Sequence, residues 1–230
     1  MPRSPRIFVP GVPCHVVQRG NNKNPIFFSK QDYYFFLEVL KEAKTKYPCL
    51  IYAYCLMANH FHLLIEPKQK DNVSLLMKLL GGKYVRYINK AYGRSGTLWE
   101  GRFKCSLIDE ESYLSACLRY VEMNPVRAGI VSAPELYRWS SYRFRALGGQ
   151  SKILDFDSFY NDLGSNLEER RLNYRSLFLN TFSESTCEAI REMTDKGGFV
   201  GDINFKNQLE KTLSRKIIIR HPGRPNKSGK

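Results

Sequence analysis

The stretch "CLMANHFHLLIEP" (55–67) holds two of the chain's four histidines, His60 and His62, separated only by Phe61. Side chains alternate along a strand. In an extended conformation the two imidazoles therefore share one face with Cα atoms about 6.6 Å apart, and Phe61, Leu63 and Ile65 turn to the other. Two imidazoles so placed can converge on one divalent ion. Mg²⁺ or Mn²⁺ would complete its shell with oxygen, from water, phosphate or a further side chain. For so short a motif the alternative is a hydrogen-bonded histidine pair with no metal.

A second block, "CLRYVEMNPVRAG" (117–129), spaces Tyr120 and Asn124 four residues apart, which on a helix is one face. Tyrosine offers an oxygen nucleophile, and asparagine offers an amide oxygen, a hard ligand. With the histidines they would supply a metal, a nucleophile and a third protein ligand. Covalent attack by tyrosine splits one displacement into two and conserves the energy of the broken bond. A metal would polarise the scissile phosphate. Tyr120 is one of 14 tyrosines, so a packed aromatic is the competing reading. Tyr113, two turns earlier, lies on roughly the same face.

Both blocks need elements to hold them. "PCHVVQRG" (13–20) alternates as a strand and stops at Gly20-Asn21-Asn22. Residues 30–47 have helical periodicity, ended by Pro48. "CLIYAYCLM" (49–57) and "ANHFHLLIE" (58–66) are strand-rich and close enough to pair as a hairpin. Residues 72–92 make a long helix with Leu75, Leu76, Leu79, Leu80, Tyr84, Tyr87 and Ile88 inward. "GTLWEGRFKCSLI" (96–108) enters a strand. Asp109 can cap a helix over 110–123, closed by Asn124-Pro125. The order β-α-β-β-α-β-α predicts an α+β fold: a ferredoxin-like split βαβ unit, an antiparallel four-stranded sheet with helices on one face. The other face is left for the site, flanked by the last helix. Beyond a Gly-rich linker near 150, residues 153–180, 183–196 and 203–216 read as helices and "KGGFVGD" as a turn. The expected division is a catalytic domain over 1–150, a helical appendage over 151–216 and a basic flexible tail over 217–230. The "GRP" of that tail matches the core of a minor-groove hook, a match short enough to arise by chance.

The net charge is +14. The excess is concentrated in residues 1–150, with 22 Lys+Arg against 11 Asp+Glu. Such an excess points to a polyanion, most often nucleic acid. Lys83, Arg86, Lys90 and Arg94 form a basic stripe on and after the long helix. Arg102 and Lys104 sit beside Trp99 and Phe103, the basic–aromatic mixture that suits single strands. Arg19 and Arg127 are further candidates, with a turn residue and a helix-end charge as their plainer readings. Glu66 lies too far along its strand to join the histidines, and His15 reads as a half-buried strand histidine, with a neighbour of the site as the alternative. Six cysteines show no metal spacing and read as reduced thiols of a cytosolic protein. No segment approaches a membrane span.

"HVVQRGNN", "YCLMANHFHLLIEP", "YVRYINKAYGRSGTLWEGRFK", "YLSACLRYVEMNPVRAGIV" and "WSSY", in this order over about 15–145, resemble the single-tyrosine HUH transposases. The branch most similar is that of the REP-associated tyrosine transposases, relatives of the IS200-type enzymes. The resemblance implies a divalent metal, Mg²⁺ or Mn²⁺, on His60 and His62. It implies that Tyr120 attacks single-stranded DNA, leaving a 5′-phosphotyrosine and a free 3′-OH, and that Asn124 completes the metal site where insertion-sequence relatives carry Gln. The implied substrate is single-stranded DNA folded into palindromic hairpins, and the implied place is the cytoplasm, at the nucleoid. The protein would act as a monomer or homodimer with no membrane partner. A domesticated DNA-binding protein with an idle site is the alternative. An RNA-binding domain of the same fold would carry an aromatic signature that this sequence lacks.

Overall fold

The computed structural model describes residues 6–179, 183–214 and 216–217. The tail expected over 217–230 lies, but for Ile217, outside the described residues. The elements follow in chain order: β1 (Cys14–Arg19), α1 (Lys30–Lys46), β2 (Cys49–Met57), β3 (His60–Pro67), α2 (Asn72–Ala91), β4 (Lys104–Ile108), α3 (Glu110–Glu122), the short α4 (Asn124–Arg127), α5 (Tyr142–Ala146), α6 (Ser158–Asp162), α7 (Leu167–Ser176), α8 (Glu184–Lys196), β5 (Phe199–Val200) and α9 (Ile203–Leu213). The strands form one open sheet in the order β2-β3-β1-β4-β5. Its first four strands are antiparallel, with the connectivity of the expected split βαβ unit.

Local chemistry fixes these elements. Ser29 and Asp32 close a capping box at the start of α1. The fully buried Asp32 accepts from the backbone N–H groups of Phe28 and Ser29 and from the hydroxyls of Tyr87 and Tyr92, which ties α1 to the end of α2. The two-residue turn between β2 and β3 is held from outside. Gly20 N–H donates to the Asn59 carbonyl (2.8 Å) and Ile26 N–H to the Ala58 carbonyl (2.8 Å). A Cβ on Gly20 would sit 2.2 Å from the Asn24 carbonyl oxygen and 2.8 Å from Ile26 Cγ2, so only glycine lets the turn from Gly20 to Ile26 close this tightly.

Alternation along β3 divides the molecule. Phe61, Leu63 and Ile65 enter the core beneath α1 and α2, with Phe36, Leu40, Leu76 and Tyr84. Leu64 and the two histidines face the opposite side, where a second core gathers Leu114, Cys117, Leu118 and Val121 of α3 with Cys187 and Ile190 of α8. The last helix of the split unit flanks the site face as expected, and α8 covers that face beside it. Cys187, Ile190 and Thr194 recur at three- and four-residue spacing and are buried on one side of α8.

Four details differ from the sequence expectation. Leu75, expected inward, is exposed on α2, one position off the buried stripe of Leu76, Leu80, Tyr84 and Ile88. "KGGFVGD" is more than a turn: Gly197, in the left-handed region at φ 70°, ends α8, and Phe199–Val200 then pair in parallel with Leu107–Ile108 of β4. Residues 153–180 break into α6 and α7, each begun by its own cap, Asp157 and Asn166. Asp109 occupies the N-cap of α3 without a side-chain capping bond. The segment from 139 onward is stitched to the sheet by buried polar groups. Arg145 pairs with Asp157 and donates to the Tyr52 carbonyl, and Glu122 accepts from Ser141 (2.5 Å) and Tyr174 (2.8 Å). Among the described residues no helix is long and apolar enough to cross a membrane.

Candidate active site

His60 stands opposite Arg19, and His62 opposite Val17, in the β1–β3 register. Cross-strand partners share a face. Arg19, Val17 and His15 therefore line up beside the histidine pair. His60 and His62 have ring centres 5.0 Å apart at 76°. At a nitrogen–metal distance of ~2.1 Å each ring centre would stand roughly 3 Å from a shared ion, so the spacing suits two imidazoles on one cation.

The hydrogen bonds identify which nitrogens are free. Asn59 Nδ2 donates to the Lys23 carbonyl (3.1 Å), which turns Asn59 Oδ1 toward His60 Nδ1 at 2.6 Å. An amide oxygen only accepts, so His60 carries its proton on Nδ1 and a lone pair on Nε2. His62 Nδ1 meets His15 Nε2 at 2.8 Å. Its own Nε2 is buried with no hydrogen-bond partner. Burial lowers the His15 pKa to about 3, lowers that of His60 to about 4 with help from Arg19, and lowers that of His62 well below the ordinary value, with His15, His60, Arg19 and Arg127 adding to it. All three rings are thus neutral near pH 7, the state that ligates a metal. An orphaned buried imidazole nitrogen beside a second imidazole fits a divalent cation. Among the described residues no cluster of three or more His, Cys, Asp or Glu groups could hold one, so further protein ligands would be amide or hydroxyl oxygens.

Tyr120 on α3 is only 4% exposed. Its ring lies edge-on to His62 (5.9 Å between centres) and to His15 (5.6 Å). The Arg127 guanidinium sits 5.0 Å over the same ring. Arg191 of α8 lies beside the Tyr120 side chain, and that neighbour is the largest cause raising the Arg191 pKa. Asn124 Nδ2 donates to the Tyr120 carbonyl (2.8 Å), so its Oδ1 points away from the helix backbone. Tyr113 packs at the edge of this core and forms none of the described ring contacts with the histidines.

The basic candidates fall into two groups. Arg19, Arg102 and Lys104 line a groove of about 710 Å³ together with Arg6 and Lys196, and Thr194 is part of its wall. Lys104 is also ion-paired to Asp195 (2.9 Å). Lys83, Arg86 and Lys90 lie on α2, across the sheet from the histidines, and Lys83 is paired with Glu42 of α1 (2.6 Å). Arg94 follows α2 with its guanidinium 5.8 Å over Phe28. Trp99, expected beside these cations as a stacking platform, packs edge-on to Phe61 and beside Tyr84 in the α1/α2 core, while Phe103 lies under the Arg6 guanidinium at 3.6 Å. Glu66 accepts from Tyr52 and pairs with Lys68 (3.0 Å), a structural role as expected.

Sequence reasoning passed over Thr194 and Arg191 and ranked the site-neighbour reading of His15 second. His15 is not half-buried; it is 1% exposed and bonded to His62. The alternation of "HVVQR" carried the signal, since it puts His15 on the face of Arg19. Thr194 and Arg191 lie some 130 residues from the histidine pair, and no local pattern announced them.

The family model described as "Transposase IS200 like" matches residues 9–124. A protein of Haemophilus influenzae, named provisionally as a REP-associated tyrosine transposase, is 27% identical over 117 residues. That alignment covers 46% of this chain and 66% of the relative, so the chain spans just under two thirds of that relative's length. A solved structure of a REP-associated tyrosine transposase bound to a REP hairpin superposes with TM-score 0.55 at 18% identity, over 68% of this chain and 93% of that one; the likeness is one of fold.

Proposed function

The chain belongs to the IS200-like transposase family, and from that premise we propose that it cleaves and rejoins single-stranded DNA through a tyrosine–DNA intermediate at a metal held by His60 and His62. The observation that carries this reading is the nitrogen His62 Nε2, buried and unpartnered beside a second imidazole and the ring of Tyr120. A buried polar atom left unpaired costs about 1–3 kcal/mol, and a bound cation would remove that cost. His60, His62 and the Oδ1 of Asn124 are the groups that would hold Mg²⁺ or Mn²⁺, which when bound would polarise the scissile phosphodiester and stabilise its developing charge.

The chain's own residues supply the rest. Tyr120 Oη attacks phosphorus, and the bond from phosphorus to the 3′ oxygen breaks. The phenol loses its proton, the departing oxygen gains one, and the products are a 5′-phosphotyrosine and a 3′-OH. One phosphodiester replaces another, so rejoining needs no external energy source. Arg191, beside Tyr120, would stabilise negative charge growing on the phenolic oxygen. Arg127, over the same ring, is placed to meet the phosphate. Arg19, Arg102 and Lys104 hold the strand in the basic groove. Lys83, Arg86, Lys90 and Arg94 would contact the backbone of a longer substrate on the far side. All of these groups except Arg191 lie within residues 1–150, the part we assign to catalysis, and α8 of 151–216 packs against α3 and β4 of that part. The relative bound to a REP hairpin suggests a folded palindrome as substrate, on DNA of the nucleoid.

The test is incubation with hairpin-bearing single-stranded DNA and Mn²⁺, followed by a denaturing gel. Wild type should give a covalent adduct whose DNA maps by mass spectrometry to the peptide containing Tyr120. Tyr120→Phe should fold, bind DNA and give none. An adduct on Tyr113 would keep the chemistry and move the nucleophile. Cleavage with no adduct would make the protein a hydrolase.

A further inference from the structure

The hydrogen bonds behind His62 run in one direction only. Thr194 Oγ1 lies 2.7 Å from the Ile190 carbonyl, one turn back on α8. A carbonyl cannot donate, so the single hydroxyl proton of Thr194 must point there. The oxygen is left with lone pairs only. It receives Ser106 Oγ–H at 2.9 Å and His15 Nδ1–H at 2.9 Å. With its proton on Nδ1, the neutral His15 ring has a lone pair on Nε2, and that lone pair receives His62 Nδ1–H at 2.8 Å. The chain of four groups ends at a bare His62 Nε2. His15, Ser106 and Thr194 are each no more than 2% exposed, so water does not offer the rings another arrangement.

We infer that Thr194, acting through His15, fixes the tautomer and orientation of His62 and so prepares its Nε2 for a metal; α8, which lies beyond residues 9–124, is then part of the catalytic centre. The inference rests on the reading of His62 as a metal ligand. Thr194 and His15 are positioning residues, and neither touches the ion. Hydrogen-bond partners of this outer kind set ligand tautomer, and their loss commonly lowers metal affinity 10- to 100-fold. Here the partner arrives from a helix remote in sequence, so folding of the C-terminal part and preparation of the metal site become one event.

The experiment uses the full chain. ¹⁵N-histidine labelling gives a spectrum of only four histidines, in which each neutral ring reports its tautomer without metal. Wild type should show His62 protonated at Nδ1 and bare at Nε2. Thr194→Val keeps the shape and removes the acceptor, and it should leave His15 and His62 as mixed tautomers. Mn²⁺ affinity by calorimetry should fall about 10- to 100-fold. Thr194→Ser should restore both, and Ser106→Ala, which removes a donor and keeps the His15 bond, should change little. A wild-type His62 protonated at Nε2 would overturn the inference. So would a Thr194→Val protein whose tautomers match wild type, or whose Mn²⁺ affinity does. Wild-type protein that binds no Mn²⁺ would instead remove the metal reading, while the metal-free tautomer comparison still decides the role of Thr194.

Discussion

Acid should weaken this protein through its histidines, before its carboxylates titrate. His15 is 1% exposed and its pKa is pushed to about 3 by burial, against about 6.5 in an unfolded chain. Between those values the unfolded state binds the proton and the folded state does not, so stability is full above pH 6.5 and is lost as pH falls toward 3. Each pH unit in that window costs about 1.4 kcal/mol, which makes about 2 kcal/mol at pH 5 from His15 alone. His60 and His62, also lowered, act with the same sign. Glu122, raised by burial, opposes them. The comparison that isolates His15 is urea unfolding of wild type and His15→Phe at pH 7 and pH 5. At pH 7 the variant should be the weaker protein, by about 1–3 kcal/mol, because His62 Nδ1–H loses its acceptor. Between pH 7 and 5 it should lose about 2 kcal/mol less than wild type. Glu122 is common to both and cancels. Equal losses would mean that His15 is not held neutral, and the directional hydrogen-bond chain to His62 would fall with it.

His60→Ala or His62→Ala should each abolish adduct formation and high-affinity Mn²⁺ binding, while hairpin binding by gel shift stays within a few fold, because backbone cations carry most of the affinity; full cleavage in EDTA would dismiss the metal. Binding of a single-stranded hairpin should fall on the order of 50-fold between 50 and 200 mM salt, if about four cations such as Arg19, Arg102, Lys104 and Arg127 each displace a counterion; a change under ~3-fold would show that the groove does not hold the phosphates.

Which parts of this architecture were legible in the sequence follows from the range of the interactions. The order β-α-β-β-α-β-α was readable because each element announces itself locally, by alternation, by three- and four-residue apolar spacing, or by a breaker such as Pro48. The facing of His60 and His62 followed from alternation alone; Tyr120 lies on α3 as read, while Asn124 begins the short α4 just past its end. Residues 153–180 misled because their polar, cap-rich composition tolerates one long helix as well as the two short ones that Asp157 and Asn166 begin. Phe199–Val200 were missed because a two-residue strand has no period to detect; what makes it a strand is the open edge of β4. The basic stripe on α2 was seen correctly as a stripe, but charge says nothing about which side of the sheet a helix will take. Phe61, Leu63 and Ile65 make that choice by claiming α1 and α2, and the histidines are left facing α3 and α8.

The same reasoning explains why half of the centre was invisible. Motifs report residues that meet substrate or metal, since their types are constrained by chemistry. The groups that hold those residues are constrained by direction, and many side chains can meet a direction. Position 194 asks for an oxygen that can send its own proton up the helix to Ile190 and receive one from His15. A threonine at that point of α8 reads as an ordinary residue on an amphipathic helix until the fold brings it to β1. The buried face of α8 carries Cys187 and Ile190 for packing and Thr194 for polarity. The polar position falls where the apolar pattern fixes it, against His15. Packing of α8 therefore delivers the hydroxyl without a separate signal, and a change that shifts α8 by one residue would carry Thr194 off the histidine while leaving every recognisable motif intact.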